Sequence, residues 1–156
     1  MFPSNRQPSH TLPSQPADPN AKPSGKSTVT NSTVKEEIED VELENMSAII
    51  LAKSGYVVEQ NPDANRLSGL NYRYKGKPDY IIENVVFDGY APRTSTTLEN
   101  IFDVILSKSN LQASRIVLNM QRNKGDLDHL KDWLARYHQT NLPNLWRNQL
   151  DCEQWA

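Results

Sequence analysis

A chain of 156 residues with 37% hydrophobic and 23% charged side chains, a formal charge of −2 and one cysteine, Cys152, excludes an internal disulfide framework and a cysteine-built zinc site. No apolar run is long enough for a membrane span, and Met1-Phe2-Pro3-Ser4-Asn5 lacks the charged-then-apolar order of a signal peptide, so the chain reads as soluble and, unless it is delivered elsewhere, cytoplasmic. Its acidic total speaks against a protein that coats nucleic acid indiscriminately.

Residues 1–34 hold six of the ten prolines with much Ser, Thr and Asn and few large apolar residues, and are expected to be a disordered Pro-rich arm or linker. Residues 35–156 then form one domain. A helix is predicted from about Glu37 to Ser54, closed by Gly55. Val41, Glu44, Ala48 and Leu51 share one stripe, so Glu44 faces inward, while Glu36, Glu37, Glu39, Asp40 and Glu42 form a solvated acidic face. Tyr56 to Gln60 reads as a strand and Asn61-Pro62-Asp63 as a turn. A polar stretch follows from Ala64 to Lys77, with a short strand at Leu70 to Tyr74. Asp79 to Glu83 and Val85 to Tyr90 lie close enough for an antiparallel hairpin turning at Glu83-Asn84. Thr96-x-x-Glu99 predicts a capping box before a helix that carries Leu98, Ile101, Phe102 and Ile105 inward and ends near Asn110. Ser114 to Asn119 is the last predicted strand, and Asp126 to His138 an amphipathic helix. The order gives an α/β (α+β) core, a mixed central sheet flanked by helices.

Asp79 and Asp88 interrupt apolar strands of the hairpin. Asp suits strands poorly and an unpaired buried charge is costly, so the pair points to a shared cation. Lys108 extends the Ile101/Ile105 stripe and leans toward the sheet, and with Glu44 the set offers three carboxylates for a divalent ion and one ammonium for charge on a phosphate. Each residue also has an ordinary reading. Asp79 can be a turn acid after Pro78, Asp88 an edge-strand charge, Glu44 a solvated helix residue and Lys108 a snorkelling amine. Three of the 17 basic and one of the 19 acidic side chains lie in residues 1–34, leaving 14 against 18. Residues 66–124 invert that balance with nine basic against five acidic, a basic rim suited to a phosphate substrate. Arg73, Lys75 and Lys77, interleaved with Tyr72 and Tyr74, are candidates for RNA contact, and Tyr90 for stacking on a base. Glu59, Gln112 and Asn119 are lesser candidates to line the site, and His10, His129 and His138 are assigned to the surface.

The ordered segments Glu44-Asn45, Ile50 to Tyr56, Glu59 to Pro62, Lys77 to Tyr80, Ile82-Glu83, Phe87 to Pro92, Lys108 and Gln112 to Asn119 resemble the C-terminal tRNA nuclease domain of CdiA proteins, toxins of bacterial contact-dependent growth inhibition. That resemblance implies a PD-(D/E)xK core like that of restriction endonucleases, and a metal-dependent endoribonuclease that cuts tRNA in the cytoplasm of a target cell and is held inactive by a cognate immunity protein. By position it assigns Glu44, Asp79 and Asp88 as metal ligands and Lys108 as the catalytic lysine. Tyr90 stands two residues after Asp88, where the common arrangement has lysine. Oxygen ligands suit Mg2+ or Mn2+, and Zn2+ also accepts them. A DNase of the same fold and a catalytically silent binding module with a Pro-rich arm are the alternative readings.

Overall fold

The computed structural model describes residues 11–72, 76–111, 113 and 115–140. A five-stranded sheet lies between helices. Its strands are β1 (Ser24–Gly25), β2 (Val58–Gln60), β3 (Tyr80–Ile82), β4 (Val85–Tyr90) and β5 (Arg115–Leu118), adjacent in that order. The outer pairs β1·β2 and β4·β5 are parallel, and the two inner pairs are antiparallel. Helix α1 (Lys35–Lys53) covers one face, and α3 (Leu98–Leu111) and α4 (Leu127–Thr140) cover the other; the short α2 (Ala64–Gly69) follows β2.

Alternation along the strands builds the two half-cores. Tyr80, Ile82, Phe87 and Val117 pack with Ala48, Leu51 and Ala52 of α1. Ile116 and Leu118 point the opposite way, against Ile101 and Ile105 of α3 and Leu130 and Leu134 of α4. The apolar stripes of α1, α3 and α4 that define these helices in the sequence are thus the surfaces they bury. β4 and β5 are parallel and joined through α3, the crossover such a pair requires.

The predicted hairpin forms where expected. Glu83 and Asn84 occupy the left-handed region with φ of 50° and 62°, as a two-residue type I′ connection demands. For Glu83 that conformation is unfavourable. Its carboxylate, however, accepts hydrogen bonds from the Val57 amide at 2.8 Å and from the Ser14 amide and hydroxyl at 3.1 and 2.9 Å.

Four expectations are corrected. Residues 11–34 are not a disordered arm. They run along the body, with the Gln15 and Asp18 amides donating to the Gly55 and Lys53 carbonyls at 3.0 and 2.9 Å, and they supply β1. A segment poor in apolar residues is read as unable to offset its ordering entropy, but this one docks through backbone hydrogen bonds that composition does not register. Residues 64–69 form a helix rather than loop, because the Asp63 carboxylate caps it by accepting from the Arg66 amide at 2.9 Å. Leu70 to Tyr72 are not strand, and the rest of that predicted strand lies outside the described residues. Finally, α3 is capped one residue later than its capping-box pattern, by the Thr97 hydroxyl accepting from the Asn100 amide at 3.3 Å.

Candidate active site

α1, β3, β4 and α3 bring their polar interruptions to one place. Asp79, immediately before β3, accepts from the Gly89 amide of β4 at 2.8 Å. Its carboxyl also lies within hydrogen-bonding contact of Asp88 and of Glu44. Asp88 is 1% exposed. It sits on β4 between Phe87, which faces α1, and Gly89, so pleating turns it toward α3. There Lys108 Nζ meets its Oδ2 at 2.8 Å. Ile101 and Ile105 are fully buried, and Lys108, next on their stripe, carries its amine into the site. Tyr90, two residues beyond Asp88, lies under that amine, 5.9 Å from nitrogen to ring centre.

Gly89 makes the approach possible. A Cβ there would stand 3.1 Å from Asp79 Oδ2 and 3.1 Å from the Tyr80 ring, tighter than side chains normally tolerate. The Asp-Gly sequence within an apolar strand is the signal for this contact, and charge patterning alone passes over it.

Glu44 is fixed from below. The Tyr80 hydroxyl donates to the Glu44 carbonyl at 2.7 Å, joining α1 to β3. The buried Asn119, just after β5, donates to the Ser47 hydroxyl of α1 at 3.0 Å, and Ser47 donates to the Leu43 carbonyl. Asn119 thus lines the site, as one of the lesser candidates, while Glu59 pairs instead with Arg66 at 3.2 Å. A cavity of about 360 Å3 opens over this floor, bounded by Glu44, Ser47, Tyr90, Arg93, Lys108 and Asn119.

The carboxyls are in electrostatic conflict. Burial, then the contact and charge of Asp88, then Glu44, push the Asp79 carboxyl up to about 8 against a restraining bond from the Gly89 amide. Burial also raises Glu44, with the charge of Asp88 adding to it, although the Thr28 hydroxyl and Lys108 oppose the rise. One ammonium faces three acids. Among the described residues, no three His, Cys, Asp or Glu side chains are already disposed around a metal position. The donor chemistry nevertheless fits a divalent cation, because three crowded oxygen donors, one of them pushed up to about 8 chiefly by burial, gain from one.

Of the residues proposed to contact RNA, Lys77 is exposed two positions before Asp79. Arg73 and Lys75, like Tyr74 and Gln112, lie outside the described residues. His129 is exposed, and its ring packs edge-on against Trp133 with 4.6 Å between centres.

The fold recurs in known proteins. Residues 75–148 match the profile of the contact-dependent growth inhibition CdiA C-terminal domain. The toxin in a CdiA-CT/CdiI toxin and immunity complex from Burkholderia pseudomallei shares the fold with a TM-score of 0.61 and 31% identity, over 80% of this chain and 86% of that one. The chain belongs to the CdiA C-terminal toxin domain family. A second relative, the tRNA nuclease CdiA-2 of Burkholderia pseudomallei strain 1026b, is 46% identical over 78 residues, which amount to 49% of this chain and 2% of that protein. As a CdiA C-terminal domain, the chain has a mixed five-stranded sheet between helices, and among its described residues no helix is long and apolar enough to cross a membrane.

Proposed function

We propose that this CdiA C-terminal domain is a metal-dependent endoribonuclease toxin that cuts tRNA, with Glu44, Asp79 and Asp88 holding the ion and Lys108 acting on the phosphate. The observation that carries the reading is the meeting of Asp88, Asp79, Glu44 and the Lys108 amine, with Glu44 and Lys108 lining one cavity. The tRNA nuclease activity named for the relative CdiA-2 supports the substrate.

A divalent ion, when bound, supplies Lewis acidity toward a phosphoryl oxygen and toward water. The side chains do the rest. Lys108, oriented by the Asp88 carboxylate, brings its ammonium to the negative charge that builds on the phosphoryl oxygens. The Gly89 amide fixes one oxygen of Asp79 beside Glu44 and Asp88. The buried Tyr80–Glu44 and Asn119–Ser47 bonds hold α1 at a set height over the sheet, so that the acids need not reorganise as substrate binds. Arg73, Lys75 and Lys77 are the residues assigned to RNA backbone, with Tyr90 available to stack on an unpaired base.

The core reads as PD-(D/E)xK-like, its lysine supplied by α3 in place of the strand position that Tyr90 occupies. The toxin/immunity pairing of the structural relative supports a cognate immunity protein for this chain; its site of action, in this reading, is the target-cell cytoplasm. The docking of residues 11–34 onto the body weighs against the free arm on which the silent-binding-module reading rests.

The test is incubation of the purified chain with total tRNA and, in parallel, plasmid DNA across Mg2+, Mn2+ and Zn2+. Metal-dependent tRNA cleavage that disappears in Asp79→Ala is expected. Intact tRNA with the wild type, or undiminished cleavage with the variant, would remove the proposal; plasmid nicking alone would transfer it to DNA.

A further inference from the structure

The N-terminal segment reaches the proposed site at one residue. Thr28 donates its hydroxyl hydrogen to Oε1 of Glu44. Its own main chain is gripped by Asn45, the residue after Glu44: the Thr28 amide donates to Asn45 Oδ1 at 2.8 Å, and Asn45 Nδ2 donates to the Thr28 carbonyl at 2.9 Å. From the other side, Asn61 Nδ2 donates to the Thr28 hydroxyl oxygen at 2.9 Å, and the Asn61 amide donates to the Asp79 carbonyl at 2.8 Å. Because Asn61 supplies a hydrogen to Thr28 Oγ1, the only hydrogen on that oxygen is directed at the glutamate.

The segment is seated to place Thr28 there. β1 pairs in parallel with β2, and a Cβ on Gly25 would overlap the Gln60 carbonyl oxygen, so the strap comes as close as its backbone allows. The Lys26 amide adds a bond to the same carbonyl at 3.3 Å, and the Lys26 carbonyl accepts from Asn61 at 2.6 Å. Gln60 Nε2 donates in turn to Asn45 Oδ1. Asn45, Gln60 and Asn61 therefore form a polar socket that fixes the strap, α1 and the end of β2 around one hydroxyl.

We propose that Thr28 is a positioning residue for Glu44, and that the segment carrying it is a working part of the nuclease site. The inference rests on the nuclease reading above. Thr28 orients one carboxylate oxygen and leaves the other for the reaction, and it touches neither the phosphate nor the ion. Loss of such an outer contact typically lowers activity by about 10- to 100-fold while the fold persists.

Wild type, Thr28→Val, Thr28→Ser and Glu44→Gln, each in the full chain, are compared by steady-state tRNA cleavage, thermal melting and limited proteolysis of residues 11–34. Valine keeps the shape of threonine and removes the hydroxyl, and Asn45 still grips the main chain. In Thr28→Val, kcat should fall about 10- to 100-fold while KM for tRNA stays within about twofold, with melting and proteolysis of the strap unchanged. Thr28→Ser should recover most of the lost rate. Wild-type kcat in Thr28→Val beside an inactive Glu44→Gln overturns this inference and leaves the nuclease reading intact. Equal loss in Thr28→Ser and Thr28→Val also overturns it, since the methyl group would then be what matters. A wild type that leaves tRNA intact overturns the nuclease reading and this inference together.

Discussion

Asp40 and Glu44 stand one turn apart on α1, border the same cavity and meet opposite electrostatic environments. Asp40 is paired twice. Arg93 Nη2 lies 2.9 Å from its Oδ2, and Arg122 Nη2 contacts its Oδ1. Burial alone would raise the Asp40 carboxyl, but the hydrogen bonds and charges of the two arginines bring it below 3.8. Glu44 instead shares a single ammonium with Asp79 and Asp88, and its carboxyl is raised. Acids that hold a structure together are arranged so that their charges cancel. Acids that serve a reaction are left in a conflict that only a ligand resolves. Breaking one end of this cavity should therefore cost activity and leave stability intact, and breaking the other should do the reverse.

The sharpest version of that contrast is Asp79→Asn. The amide still accepts from the Gly89 amide, fits the same space and stays neutral beside Asp88 at every pH. Cleavage of tRNA should fall by at least about a thousandfold. The melting temperature of the metal-free protein should hold or rise, by up to about 1 kcal/mol of stability. A clear drop in melting temperature would mean that the ionised carboxylate is a structural group.

Lys108→Met tests the one residue that belongs to both classes. It should lower cleavage by about 10²- to 10³-fold through loss of the transition-state donor. It should also destabilise the fold by about 2–3 kcal/mol, because Asp88, with its side chain 2% exposed, loses its cation. Adding Asp88→Asn to Lys108→Met should return much of that stability and none of the activity, measured by denaturant melts beside the cleavage assay.

At the other end, Arg122→Ala should cost about 2 kcal/mol with less than about a tenfold change in cleavage. The Arg122 side chain is 11% exposed, and it donates to the Ala91 and Pro92 carbonyls at 2.7 and 3.2 Å as well as to Asp40. It therefore ties α1 to the loops that follow β4 and β5. Arg93, half-exposed and joined to α1 through Glu36 and Asp40, should matter less, and its effect should fade as salt is added.

The reaction end was the legible one. Asp79 and Asp88 stand out because carboxylates break an apolar alternation, and Lys108 because it completes a helical stripe; both are rules of period, and period survives in a one-dimensional string. The Glu83-Asn84 turn was legible for the same reason, since two strands so close in sequence leave one way to join. Thr28 and Gly25 were not, because their partners Glu44 and Gln60 lie 16 and 35 positions away and the bonds to the backbone leave no compositional trace. The clamp of Arg122 on Asp40 spans 82 positions and was invisible as well, so α1's first turns read as a solvated acidic face. Local chemistry also misplaced the α3 cap. Thr96 and Thr97 can both cap a helix, and the Thr96 amide bonds back to the Arg93 carbonyl at 3.0 Å, which gives the position to Thr97.

The smallest expected effect separates the two ends by pH. A carboxyl whose folded value lies below its unfolded one binds more protons when unfolded, so its contribution to stability is complete above the unfolded value of 3.8 and is lost as pH falls through the folded value. Asp40→Asn should therefore flatten the acid limb of melting temperature against pH below about 4, and leave the limb near neutrality unchanged. Part of the limb should persist, because Glu83, lowered by the Val57 and Ser14 hydrogen bonds against a burial that raises it, loses stability in the same direction. The Asp40 side chain is 40% exposed, so solvent and salt screen the pairing and the difference should shrink in high salt. An acid limb identical in Asp40→Asn and the wild type at low salt would show that the arginines hold the loops through their carbonyl partners alone, and that the balance of charge at this end of the cavity is incidental to its stability.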